Sequence, residues 1–66
     1  MTIDIPTMIE QKNHALTVTE VAAILAVSKS SLYGLAERNV IPHFRVAGSI
    51  RFDPVTLSAW LRDNRK

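Results

Sequence analysis

Sixty-six residues, 47% hydrophobic and 21% charged, make one small globular domain; a chain of this size buries only about 60% of its unfolded surface, so its core is marginal. The absence of cysteine excludes disulfides and thiolate metal sites and suits a reducing, cytoplasmic setting, while the short, charge-interrupted apolar runs hold no membrane span and no signal peptide. Eight Lys/Arg against six Asp/Glu give a net +2: residues 1–14 are net −1, and residues 15–66, with seven basic and four acidic residues, are net +3. That balance is compatible with phosphate binding.

Residues 1–14 show no sustained period and read as a flexible N-terminal arm. The alternative is a short helix folded back on the domain, with Thr7-x-x-Glu10 after Pro6 capping one turn. Residues 15–66 form the domain proper. Thr17-x-x-Glu20 is a capping box, and Leu16 with Val21 makes the hydrophobic staple around it. Val18, Val21, Ala22 and Leu25 follow helical spacing and predict one buried stripe. A second helix starts the same way, with Ser28 as N-cap, Val27 and Leu32 as staple, and Leu32, Leu35 and Ala36 facing inward. Only Ala26-Val27-Ser28 separates the two, the spacing of a helix-turn-helix.

Asn39 is placed for the left-handed residue that ends a helix, and Pro42 keeps Ile41 extended. FRVAGSIRF, residues 44–52, then alternates around a Gly-Ser turn. A two-residue loop at Gly48-Ser49 mixes apolar and charged residues on both faces. A three-residue loop, Ala47-Gly48-Ser49, gathers Phe44, Val46, Ile50 and Phe52 on one face and pairs Arg45 with Arg51 on the other. The pattern favours the second register. The last helix is capped by Asp53, opens with Pro54, staples Phe52 to Leu57, and turns Leu57, Trp60 and Leu61 inward. Arg62, Arg65 and Lys66 sit at its C-terminal end, where the dipole favours cations. The expected fold is mainly α with a small β-hairpin: a winged helix-turn-helix with a two-stranded wing and a C-terminal helix.

The ordered set Leu16, Thr17, Glu20, Ala22, Leu25, Val27, Ser28, Ser30, Leu32, Tyr33, then Ile41-Pro42, then Val46, Gly48, Arg51, Phe52, then Leu57, Trp60 and Leu61 closely resembles the excisionase-type, MerR-like family. The resemblance covers residues 15–62. Two positions depart from it. Ala26 stands where the family usually has Gly, and Gly34 stands where a basic residue often follows the Tyr.

In a helix-turn-helix the start of the second helix meets base edges in the major groove. The candidate DNA contacts there are Ser28, Lys29, Ser30, Ser31 and Tyr33. In the wing they are Arg45 and Arg51, assisted by Gly48 and Ser49. The recognition helix offers no Arg, Asn or Gln with the strong bidentate base code, so single-site specificity should be modest. His14 and His43 are isolated from carboxylates, and no nucleophile motif or Gly-rich phosphate loop is present, so neither catalysis nor a cofactor or metal is expected.

The resemblance implies an excisionase, or recombination directionality factor, which binds double-stranded DNA cooperatively, bends it, and assists a separate integrase (recombinase) in excision. The alternative is a small MerR-like transcriptional regulator. A more distant one is a protein-interaction module such as an antitoxin or packaging-complex subunit. The chain is expected to end soon after its only domain, with no sensing or catalytic domain attached.

Overall fold

Every helix among the described residues begins at a side-chain cap. A computed structural model describes residues 4–64, in the order α1 (Ile5–Glu10), β1 (Leu16–Thr17), α2 (Val18–Leu25), α3 (Lys29–Glu37), β2 (Phe44–Val46), β3 (Ser49–Phe52) and α4 (Pro54–Asp63). The capping box of α2 is complete: the Glu20 amide donates to Thr17 Oγ1 at 3.1 Å and the Thr17 amide to Glu20 Oε1 at 3.0 Å. Ser28 accepts from the Ser31 amide at 3.1 Å, and Asp53 from the Thr56 amide at 2.9 Å. The chain is mainly helical with a small antiparallel sheet, as the pattern predicts, consistent with a winged helix-turn-helix.

Both helix ends of the central pair use left-handed residues. Ala26 closes α2 at φ 58, and the Val27 amide returns to the Ala22 carbonyl at 3.1 Å. Asn39 takes φ 56 after α3, with the Asn39 amide donating to Ala36 O and the Val40 amide to Leu35 O. This doubled return is the Schellman closure that satisfies otherwise orphaned carbonyls. The core that follows is one cluster: Ile9, Leu16, Val18, Val21, Ala22, Leu32, Ala36, Ile41, Ile50, Phe52 and Leu57. Leu25, Leu35, Trp60 and Leu61 pack against it half-buried. Val27, placed as a staple residue, remains 44% exposed.

Residues 5–10 take the second of the two readings, a short helix folded back on the domain, in place of the flexible arm. These form α1, capped by Asp4, which accepts from the Thr7 amide at 3.0 Å; Thr7 is not the cap. Ile9 is fully buried and α1 packs against α4. Arg62 on α4 donates to Thr7 Oγ1 at 2.9 Å and to Glu10 Oε1 at 2.6 Å. Buried Pro6 and Ile9, together with the Arg62 guanidinium, hold six residues that lack any long helical period. Residues 1–3 of the arm, and Arg65 and Lys66 of the last helix, lie outside the described residues.

The hairpin register is the second correction. The loop is Ala47-Gly48, with φ 51 and 83, and the partners are Val46 with Ser49, Arg45 with Ile50, and Phe44 with Arg51. Two successive left-handed residues match the twist of the strands they join, and this turn geometry prevails over the apolar pattern. Arg45 and Arg51 are therefore not cross-strand partners. Ile50 and Phe52 are buried as the pattern requires, whereas Phe44 and Val46 lie on the outward face, 41% and 53% exposed. The sheet also has a third strand, in the order β1-β3-β2. β1 pairs Leu16 with Phe52 and Thr17 with Arg51, which ties the wing directly to the start of α2.

Candidate nucleic-acid interface

The bend at Ala26-Val27-Ser28 turns α3 by 114° from α2. That angle lies within the range of helix-turn-helix units and stands the outer face of α3 clear of the core. Leu32 and Ala36 are buried, which leaves Lys29, Ser30, Ser31, Tyr33, Glu37 and Arg38 exposed. The Ser28 hydroxyl, besides capping the helix, donates to Ser31 Oγ at 2.9 Å. These two serines hold one another in the first turn, next to Lys29.

Across from α3 stands the wing. Tyr33 and Glu37 from α3, Arg45, Gly48, Ser49 and Arg51 from the wing, and Thr17 and Thr19 from the start of α2 line one open cleft of about 470 Å³. Arg51 Nη1 donates to the Ile50 carbonyl at 2.9 Å, and Arg45 Nη1 makes a long contact of 3.5 Å to the Gly48 carbonyl. Neither guanidinium meets a carboxylate among the described residues. The register sets the two arginines on opposite faces of the hairpin, yet both reach the cleft. A cleft with two unneutralised guanidinium groups, a phenol and hydroxyls has the donors that a phosphate backbone requires.

Of the residues singled out in the sequence, Tyr33, Arg45, Gly48, Ser49 and Arg51 are brought together around this cleft. Ser28, Lys29, Ser30 and Ser31 are exposed at the N-terminal end of α3, outside it. Sequence reasoning missed Thr17, Thr19 and Glu37 as cleft residues. In the sequence pattern Thr17 is a cap, and its place beside Arg51 depends on a strand of only two residues. Helical spacing from Leu32 and Ala36 points Glu37 outward, but does not make it a neighbour of the wing.

The charges on α3 run against its dipole. Lys29 opens the helix and Glu37 closes it, whereas carboxylates are favoured at the start and cations at the end. By contrast, the structural carboxylates are placed with the dipole. The Thr17 amide holds the Glu20 carboxyl below its ordinary 4.5, and the Thr56 amide holds that of Asp53 below 3.8. Among the described residues no group of His, Asp or Glu is arranged to hold a metal ion, and no single helix is long and apolar enough to cross a membrane.

A family model described as a helix-turn-helix domain matches residues 15–65. This chain belongs to the helix-turn-helix domain family. Comparison with curated proteins and with solved structures finds no match. Membership of this helix-turn-helix family supports DNA binding and DNA as the partner, in a family that is typically non-enzymatic. The matched span takes in α2, α3, the wing and α4, and leaves α1 outside it.

Proposed function

We propose that this chain is a small excisionase-type DNA-binding protein, a recombination directionality factor of winged, MerR-like architecture. The observation that carries this reading is the convergence of Tyr33 with Arg45 and Arg51 on one cleft beside the exposed face of α3. The first turn of α3 enters the major groove, where Lys29 meets guanine or phosphate and Ser30 a base edge. Ser28, Ser31 and the first-turn amides face the sugar-phosphate strand. The wing arginines, with Ser49 and the Gly48 backbone, grip the backbone or minor groove alongside.

Because most of this contact set is to phosphates, binding is salt-dependent and only modestly selective at a single site. Selectivity then comes from DNA shape and from cooperative binding of neighbours. The exposed Phe44 and Val46 on the outward face of the wing supply apolar surface for such neighbour contacts. Bent DNA carrying several copies is the arrangement on which an integrase would act.

A gel-shift titration tests this reading, using the DNA upstream of the protein's own gene against a scrambled duplex at two salt concentrations. Discrete, cooperative, salt-sensitive complexes on the native DNA, and stimulation of excision by an integrase encoded alongside, are the expected results. Binding without any effect on an integrase would instead make it a MerR-like regulator. A single site bound tightly at physiological salt, with no gain from adjacent sites, would contradict the cooperative mechanism. No binding at low salt would turn attention to a protein partner.

A further inference from the structure

The proposed phosphate contact accounts for Lys29 at the start of α3, but nothing so far accounts for Glu37 at its end. Its carboxylate is set against the helix dipole, is exposed, and lines the cleft with Tyr33, Arg45 and Arg51. It makes no hydrogen bond or ion pair among the described residues, and its chain neighbour Arg38 donates to the Gly34 carbonyl at 3.2 Å. An unneutralised anion thus stands in a cleft otherwise furnished for anions.

We propose that Glu37 is a built-in brake on affinity, which weakens the phosphate-driven part of DNA binding. The inference rests on the DNA-binding reading above and deepens it. A phosphodiester strand lying between α3 and the wing meets two guanidinium groups and one carboxylate. The repulsion from Glu37 acts on every sequence alike, because phosphates carry no sequence information. It lowers the affinity for every duplex by a common factor, while the contacts of Lys29 and Ser30 at the far end of the helix are beyond its strongly repelled zone. Because the penalty is common to all sequences it leaves their affinity ratios unchanged; it sets how tightly the protein holds DNA and how steeply that hold depends on salt.

The test is Glu37→Gln, which keeps the size and polarity of the side chain and removes its charge. Its binding to a short random-sequence duplex is followed by fluorescence anisotropy over a range of KCl, beside the wild type and Asp63→Asn. Asp63 is an exposed carboxylate at the end of α4 outside the cleft, and its variant reports the effect of net charge alone. Glu37→Gln should bind about threefold tighter or more at moderate salt, and its plot of log affinity against log salt should steepen by about one unit. Its thermal midpoint should equal or exceed that of the wild type, since the substitution removes a clash with the dipole.

An unchanged affinity and slope, or a gain matched by Asp63→Asn, would overturn the proposal while leaving DNA binding intact. Weaker binding by Glu37→Gln would also overturn it, by making the carboxylate a favourable contact. If the wild type and both variants all fail to bind at low salt, the DNA-binding reading and this inference fall together.

Discussion

Leu16 and Phe52 stand directly opposite one another in the antiparallel ladder of β1 and β3, and both are fully buried. Each is also the residue just before a helix N-cap, Thr17 for α2 and Asp53 for α4. One apolar pair therefore fixes the entry angles of two helices and the position of the wing against the helix-turn-helix. Phe52→Ala should cost about 3–5 kcal/mol, comparable with the whole stability expected of a domain this small. Urea denaturation followed by the fluorescence of Trp60, the single tryptophan, should find this variant largely unfolded. Phe52→Leu should remain folded with a lower midpoint.

Ala26 is held at φ 58 by the turn that gives α3 its direction. A left-handed conformation costs an L-residue roughly 1–2 kcal/mol, whereas glycine adopts it freely but has more unfolded-state entropy to lose. Ala26→Gly should therefore stabilise the domain by about 0.5–1 kcal/mol and raise the thermal midpoint by about 2–8 °C. Scanning calorimetry checks this, and DNA affinity should not change.

The attachment of α1 separates an apolar term from an ionic one. Ile9 is completely buried, whereas Arg62 and Glu10 are each well exposed at their ion pair. Ile9→Ala should cost about 2–4 kcal/mol, and Arg62→Ala less than about 1 kcal/mol because solvent screens the pair. Urea midpoints of the two variants measure the difference, and the Arg62 effect should shrink further at high salt.

Acid stability should follow the helix caps. Glu20 and Asp53 have carboxyls held below their ordinary values of 4.5 and 3.8, each by an amide that donates to the ionised form. The unfolded chain then takes up protons before the folded one does, so both contributions are fully present above the unfolded values. They are lost as the pH falls through the lower folded values. Urea midpoints should be steady near neutrality and decline below about pH 4. In Glu20→Gln with Asp53→Asn the starting midpoint should be lower and the acid decline shallower.

What was legible in the sequence was whatever depends on neighbours a few residues apart. The caps at Thr17, Ser28 and Asp53, the left-handed Asn39, and the buried faces of α2, α3 and α4 all follow from local chemistry, and the structure has them. The register of the wing was not legible, because alternation at Phe44 and Val46 implies burial that no packing layer provides on an edge strand. There the two left-handed loop residues, Ala47 and Gly48, decided the pairing. α1 is obscured for a related reason: six residues are too few to show a helical period, and the Arg62 that bonds Thr7 and Glu10 lies near the other end of the chain. The cleft combines both cases, since Tyr33 and Arg51 could be chosen from pattern and resemblance, while the juxtaposition of Glu37 and Thr17 with them required the third strand.

On the proposed function, the α3 face and the wing act on DNA as one surface. The most direct test is a salt series of anisotropy titrations on the native upstream duplex with Lys29→Ala, Arg51→Ala and the double variant. Each single change should weaken binding and reduce the salt slope by about one, with the double variant losing about two. Full affinity and an unaltered salt slope in the double variant, with its fold intact, would contradict the account.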